Sequence, residues 1–262
     1  MANPTLSQTF QEYFDVQLAD DPQSLREVYA LRYRVYCEEF GFEESSHFPD
    51  HLEQDEFDQQ SLHCLIRHRP TGSPAGCVRM VPTFASRDTD PLPFEKYCSA
   101  SLDERFFTAL DLPRESLCEV SRLAVAREFR KRRGESQNMW GAPDTVEHPD
   151  RSERRTFPLI AVSAFLASTA LSMLSGRHNA FMVTEPFLPR LLARAGIRVK
   201  PVGNPIYYHG YRAPYYITAT EAEAGLRGEL RELYQEIHRV FANHSALQTL
   251  QKPRHHRIRE CQ

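Results

Sequence analysis

At 262 residues and a formal net charge of −3, the chain is long enough for one large α/β domain or two small ones, and it lacks the basic excess of a general nucleic-acid binder. Its 41% hydrophobic and 26% charged content is ordinary for a soluble globular protein. Six scattered cysteines with no Cys-x-x-Cys pair, mostly in apolar surroundings, fit free thiols in a reducing, cytoplasmic compartment.

The N-terminal stretch has neither a basic segment nor an apolar one, so no export signal is expected, and residues 1–10 read as a frayed tail. Phe14, Val16 and Leu18 alternate as a first strand. Asp21-Pro22 then supplies an N-cap and a first helical residue, opening a helix to about Phe40. Leu25, Val28, Tyr29, Arg32 and Tyr36 share one face of it, which leaves Arg32 inside an apolar stripe. Such a guanidinium either meets carboxylates or snorkels to solvent.

Gly41 to Gln60 reads as an acidic loop ending in Asp55-Glu56-Phe57-Asp58. Residues 62–66 and 76–84 form a hairpin across a Pro-Thr-Gly-Ser-Pro turn, with Arg79 mid-strand where a core residue is expected. Ser101–Leu110 is a short helix. The segment Cys118–Arg133 is an apolar strand carrying Glu119 and Arg122 that runs into five basic residues.

Residues 135–155 are polar, contain Pro143 and Pro149, and read as a flexible insertion, with Trp140 as a loop anchor or a substrate lid. Thr156 to Gly176 carries no charge and approaches the length of a membrane span. Its serines and its stripe of Ala161, Ala164, Ser168 and Ser172 favour a core helix on a sheet instead. A strand at 180–184, a helix at 187–195 stopped by Gly196, and a strand at 197–202 follow. The aromatic run Asn204–Tyr216 either lines a pocket or closes the sheet edge. Thr220 and Glu223 form a capping box for an amphipathic helix over 220–248 with Leu226, Leu230, Leu233, Ile237 and Val240 on one side. Residues 249–262 are a basic disordered tail. With no repeats and no clear linker, 11–219 is one α/β domain.

Several chemistries are unsupported by spacing: there is no zinc pattern, no Gly-x-Ser-x-Gly elbow, and no Walker or Gly-x-Gly-x-x-Gly loop. Arg32, Arg79 and Arg122 stand in apolar settings, and Asp55, Asp58 and Glu119 supply three carboxylates. A buried network of all six satisfies the charges, at a stability cost that points to function. Residues 119 and 122 face opposite sides of an ideal strand, so lining one cleft requires a bulge or strong twist.

In order and spacing these residues resemble the acyl-homoserine-lactone synthases and the long-chain N-acyl amino acid synthases, branches of the GNAT acyltransferase fold. Arg32 and Tyr36 match an Arg-x-x-x-Phe with Tyr for Phe, and Gly41-Phe42 a Gly-Trp with Phe for Trp. Asp55 and Asp58 match paired aspartates, Arg79 the strand arginine, and Glu119-Val-Ser-Arg122 a Glu-x-x-Arg. The run Tyr207–Tyr216 looks like that of the PEP-CTERM/exosortase-associated acyltransferases. The resemblance implies a GNAT-type α/β (α+β) fold: a mixed, mostly antiparallel twisted sheet flanked by helices, with its central strand splayed and bulged near 118–125. It also implies an acyl carrier protein as donor.

The expected reaction is transfer of a long fatty acyl group from a carrier-protein thioester, or from acyl-CoA, to an amine such as an amino acid. No bound cofactor or metal is expected. Glu119 is the candidate base, with Arg122 beside it. Arg32, Tyr36, Phe42, Asp55, Asp58 and Arg79 would shape the site. The backbone at Leu123, Ala124 and Val125 would bind the thioester carbonyl, and Arg130, Arg132, Arg133 and Gly134 the donor's phosphate or the carrier protein. No nucleic-acid partner and no transmembrane segment are expected, with peripheral contact to a lipid product. The alternatives are an acetyl-CoA-dependent GNAT enzyme, against which the lack of an Arg-x-x-Gly-x-Gly/Ala loop counts, and a non-catalytic acyl-thioester-binding protein of a cell-envelope system.

Overall fold

Alternating apolar residues build a sheet whose strands follow one another as antiparallel neighbours: β1 (Phe14–Ala19), β2 (Leu62–His68), β3 (Pro74–Pro82) and β4 (Leu117–Val125). The computed structural model describes residues 4–84, 90–130, 156–208, 210–244 and 247. β5 (Asn179–Thr184) runs parallel to β4, but only Leu117, Cys118 and Glu119 pair with Asn179, Ala180 and Phe181. Past that point the two strands separate. β8 (Tyr211–Thr218) lies antiparallel to β5 and pairs with the two-residue strands β6 (Lys200–Pro201) and β7 (Ile206–Tyr207).

Side-chain alternation divides the sheet into two faces. Gly76 of β3 faces α5 (Pro158–Ser175), whose Ile160 would stand 2.7 Å from a Cβ added there. Cys118, two register steps from Val120, reaches the same helix at Ser172. This helix is uncharged because it is buried: its side chains pack between the sheet and α8 (Gly228–Ala242). Among the described residues it is the one helix long and apolar enough to cross a membrane, and it lies mostly inside the molecule. The opposite face carries Arg79, Glu119 and Ser121, and meets α2 (Pro22–Tyr33). Asp21 caps α2 by accepting from the Gln23 and Ser24 amides, and the helix passes into a π-helical turn, Arg34–Glu39.

Four sequence expectations need correction. Residues 1–10 are not wholly frayed: Thr5 and Gln8 form a capping box, and α1 (Leu6–Tyr13) buries Phe10 completely. A short helix missed by periodicity, α3 (Pro93–Tyr97), precedes α4 (Glu104–Leu110), which begins three residues later than expected. The strand expected at 197–202 shrinks to β6, where only Lys200 and Pro201 pair with β8. The capping box joins Thr218 and Glu221, not Thr220 and Glu223, and the expected single helix is two: α7 (Ala219–Gly225) and α8.

The break between them has a steric cause. A Cβ on Gly225 would stand 2.0 Å from the Gly196 carbonyl oxygen, and one on Gly196 would stand 2.2 Å from that of Gly225. Gly196 stops α6 (Phe187–Arg194) with φ +91°, so the ends of α6 and α7 meet backbone to backbone. On α8, Leu233, Ile237 and Phe241 are buried whereas Val240 is exposed. The insertion at 135–155 with Trp140, and the tail at 249–262, fall outside the described residues.

Candidate active site

The bulge expected from Glu119 and Arg122 is present. Arg79 pairs with Ser121 and Cys77 with Ala124, so two residues on β4, Arg122 and Leu123, oppose the single Val78. Arg122 holds φ +51°, a left-handed value uncommon outside glycine. The extra residue turns the Arg122 side chain onto the α2 face, beside Ser121 and above Arg79.

There the arginines find carboxylates. Arg32, 0% exposed, donates Nε to Glu53 at 2.5 Å and forks onto both Asp58 oxygens at 2.7 and 3.0 Å. Arg79, 1% exposed, donates Nη1 to Asp55 at 2.5 Å and to Asp58 at 2.9 Å, and Nε to Ser121 at 3.1 Å. Arg122 donates to Glu53 at 3.1 Å and lies 3.2 and 3.3 Å from Asp55 and Glu43. Five of the six expected members are therefore together.

Glu53 is the member the sequence reading missed. It sits in the same acidic loop, two residues before Asp55, but nothing in an exposed-looking Leu-Glu-Gln singles it out. Its backbone amide bonds the Tyr29 carbonyl at 3.1 Å, which tucks the side chain under α2. Burial works to raise the Glu53 carboxyl, but Arg32 and Arg122 outweigh it and hold it at about 2. Asp58 is likewise driven far below its ordinary range by Arg32 and Arg79 despite burial. His63, behind Asp58, is lowered to about 4 by burial and by Arg32, so it is neutral.

Glu119 is the expected member that stays apart. It lies on the same face, 4% exposed, and accepts from the Phe94 amide at 2.7 Å without pairing to an arginine. Burial raises its carboxyl to about 8, only partly countered by that amide and by the more distant Arg79 and Arg122. A carboxyl so placed exchanges its proton near neutral pH, as a general base requires.

Where β4 and β5 part, a cleft opens, with about 400 Å³ of empty space counting what is open to solvent. Tyr36, Ser121, Arg122 and Leu123 line one wall, and Thr184, Glu185 and Arg212 the other. Tyr36 donates to the Leu123 carbonyl at 2.9 Å, holding the bulge open from the π-helical turn, and burial pushes its phenol up to about 12. Phe42 bonds its amide to the Tyr36 carbonyl at 2.7 Å, and the Arg212 guanidinium sits 5.3 Å above its ring. Ala124 and Val125 are in the ladder with Cys77 and Gly76, leaving Leu123 as the one member of the expected carbonyl-binding stretch that falls at the bulge.

Val120, Phe165 and Met182 line this cleft and also an apolar cavity beyond the sheet, against α5. The cleft thus joins a charged face to an apolar one. Of the expected phosphate-binding residues, Arg130 is buried, ion-paired with Glu39 and set 4.8 Å from the Phe40 ring centroid. Arg132, Arg133 and Gly134 lie outside the described residues. Among the described residues no group of His, Cys, Asp and Glu is arranged to hold a metal ion.

A sequence-family model described as an acetyltransferase (GNAT) domain matches residues 31–140. No curated protein matches the sequence. Among solved structures, TofI in a ternary complex with an inhibitor and MTA superposes with a TM-score of 0.54 at 20% identity, over 84% of this chain and 99% of that one. BjaI, a CoA-dependent acyl-homoserine lactone synthase with MTA, gives 0.53 at 16% identity, over 86% and 89%. FeeM, an N-acyl amino acid synthase from uncultured soil microbes, gives 0.53 at 11% identity, over 84% and 97%. The fold is that of the GNAT-type acyltransferases: a mostly antiparallel open sheet flanked by helices, splayed beside a bulged central strand.

Proposed function

We propose that this protein is an N-acyltransferase that moves a long fatty acyl group from an acyl-carrier-protein thioester to a small amine by direct attack. The observation that carries this reading is the splay at the β4 bulge, with polar groups on one side and an apolar cavity on the other. Fold likeness to BjaI, an acyl-homoserine lactone synthase, and to FeeM, an N-acyl amino acid synthase, supports it.

The step needs no covalent enzyme intermediate. The amine nitrogen attacks the thioester carbonyl carbon, the C–N bond forms, and the C–S bond breaks as the tetrahedral centre collapses. Glu119 is buried and does not itself line the cleft, so one proton passes from the amine to Glu119 through a water, and a proton returns to the departing thiolate. The backbone N–H of Leu123, in the bulge beside the cleft, is the candidate donor to the oxyanion. The arginine–carboxylate network does not itself react. It fixes Arg122 and Ser121 at the cleft, as buried charges bonded to one another can.

Arg130 is already committed to Glu39, so the loop after β4 offers one fewer cation to a CoA diphosphate, which favours a carrier-protein donor. An acetyl-CoA enzyme leaves the apolar cavity beyond Met182 unexplained. The association with an exosortase system rests on the Tyr207–Tyr216 resemblance, and a bacterial, cytoplasmic setting goes with it.

Expression in a simple bacterial host, with mass spectrometry of extracted lipids beside Glu119→Gln, tests the reading. An N-acyl product that vanishes or falls at least ~100-fold in the variant is expected. No new amide, together with no thiol released from long-chain thioesters by the purified protein, would end the enzyme hypothesis.

A further inference from the structure

Arg212 was not singled out by the sequence, and the charged network does not include it. Its Nε and Nη2 are buried and have no hydrogen-bond partner. A guanidinium is always charged and offers its donors as a rigid fork, so two buried unmet N–H groups are costly unless something fills them.

The position of this fork is informative. On β8 the register pairs Pro214 with Val183 and Ala213 with Thr184. One further step sets Arg212 opposite Glu185, at the point where β5 ends. Both residues line the cleft together with Tyr36 and Arg122. The Glu185 carboxyl is raised by burial, and Arg212 lowers it only in part. The two opposite charges sense each other across the strands without Nε or Nη2 of Arg212 closing onto the carboxylate. The guanidinium carbon instead sits over the Phe42 ring, 5.3 Å from its centroid, and the residue is part of the cleft lining.

We propose that Arg212 is the specificity-determining residue for the acceptor: its unmet fork binds a carboxylate of the acyl-accepting amine, with Glu185 opposite it to attract the ammonium end. A carboxylate matches the guanidinium fork in a bidentate pair, the strongest hydrogen-bond geometry a side chain offers. An amine that also bears a carboxylate is then held by Arg212 and Glu185 on the wall of the cleft that faces the β4 bulge. A simple alkylamine has nothing for Arg212 and leaves the buried N–H groups unmet. This rests on the acyl-transfer reading above, and its test separates the two.

The experiment uses the full chain with a long-chain acyl thioester and matched acceptors: phenylalanine and phenethylamine, leucine and isoamylamine, glycine and methylamine. Amide formation is followed by mass spectrometry, and binding of each acceptor alone by calorimetry. The expected result is a preference for the carboxylate-bearing member of at least one pair. In Arg212→Met that preference, as a ratio of kcat/KM values, should fall about 10- to 100-fold through KM, the range for a charge-assisted hydrogen bond. Arg212→Lys should restore part of it. Calorimetry should show acceptor binding weakened in Arg212→Met without any thioester present. Equal use of both members of every pair, or a preference that survives in Arg212→Met, overturns the proposal and leaves acyl transfer standing. Arg212-dependent binding of the amino acid with no amide formed does the reverse.

Discussion

Glu119 and Glu53 are two buried carboxyls on one face of the sheet, and their surroundings send them in opposite directions. Glu53 has two arginines within hydrogen-bond range and stays ionised, whereas Glu119 has one backbone amide and is raised to about 8. For Glu119 the folded value lies above the ordinary 4.5, so folding favours the protonated form. Its contribution is therefore complete below about pH 4.5 and is lost as pH rises toward about 8. Urea unfolding of the wild type and Glu119→Gln across that window should show the wild type losing stability relative to the variant as pH rises. Parallel curves would mean that Glu119 is not buried in this way. Catalysis has the opposite dependence, because the base must be ionised: the rate should climb with pH up to about 8, with a single-proton slope. For Glu53 the prediction is structural. Removing it leaves Arg32 Nε and Arg122 Nε unpaired in the interior, so Glu53→Ala should lower stability by ~3–5 kcal/mol in denaturant unfolding.

Among the elements, β4 and the α6–α7 contact depend most on backbone geometry. The need for a bulge in β4 was legible because Glu119 and Arg122 are three residues apart, an odd spacing that a regular strand sends to opposite faces. Where the extra residue falls was not legible: the ladder places it at Arg122–Leu123, held by Tyr36 from another element. The split of the C-terminal helix was hidden for a related reason. Gly225 and Gly228 look like weak points in a helix, but the reason for the break lies at Gly196, about thirty residues earlier in the chain. Gly196→Ala puts a Cβ 2.2 Å from the Gly225 carbonyl at a φ of +91°, so it should cost more than about 1 kcal/mol, readable as a lowered Tm. The α1 helix was missed because Thr5 and Gln8 are a minimal capping signal, and its stability comes from burying Phe10 against the rest of the molecule.

At the scale of the whole molecule, the sheet is open at its centre because β4 and β5 share only three paired positions. The gap links the charged face under α2 to the apolar cavity under α5. If the acyl chain passes through it, as the proposed reaction requires, a bulkier side chain at the junction should shorten the chain accepted. Met182→Trp is expected to shift the preference toward short acyl thioesters by at least 10-fold in kcat/KM while the fold is retained. An unchanged chain-length profile would place the acyl group elsewhere.

Sequence alone determined the alternation of strands and helices, the buried character of α5 and the presence of misplaced arginines near carboxylates. These are properties of neighbouring residues: periodicity, caps, and charges in apolar runs. Tertiary structure decided which carboxylate answers which arginine. It put Glu53 in the network, kept Glu119 out of it, and left Arg212 with unmet donors in the cleft. The physical reason is distance along the chain. Glu53 and Arg122, or Arg212 and Phe42, are brought together only when the sheet assembles, and no local pattern records a contact that burial and strand register create.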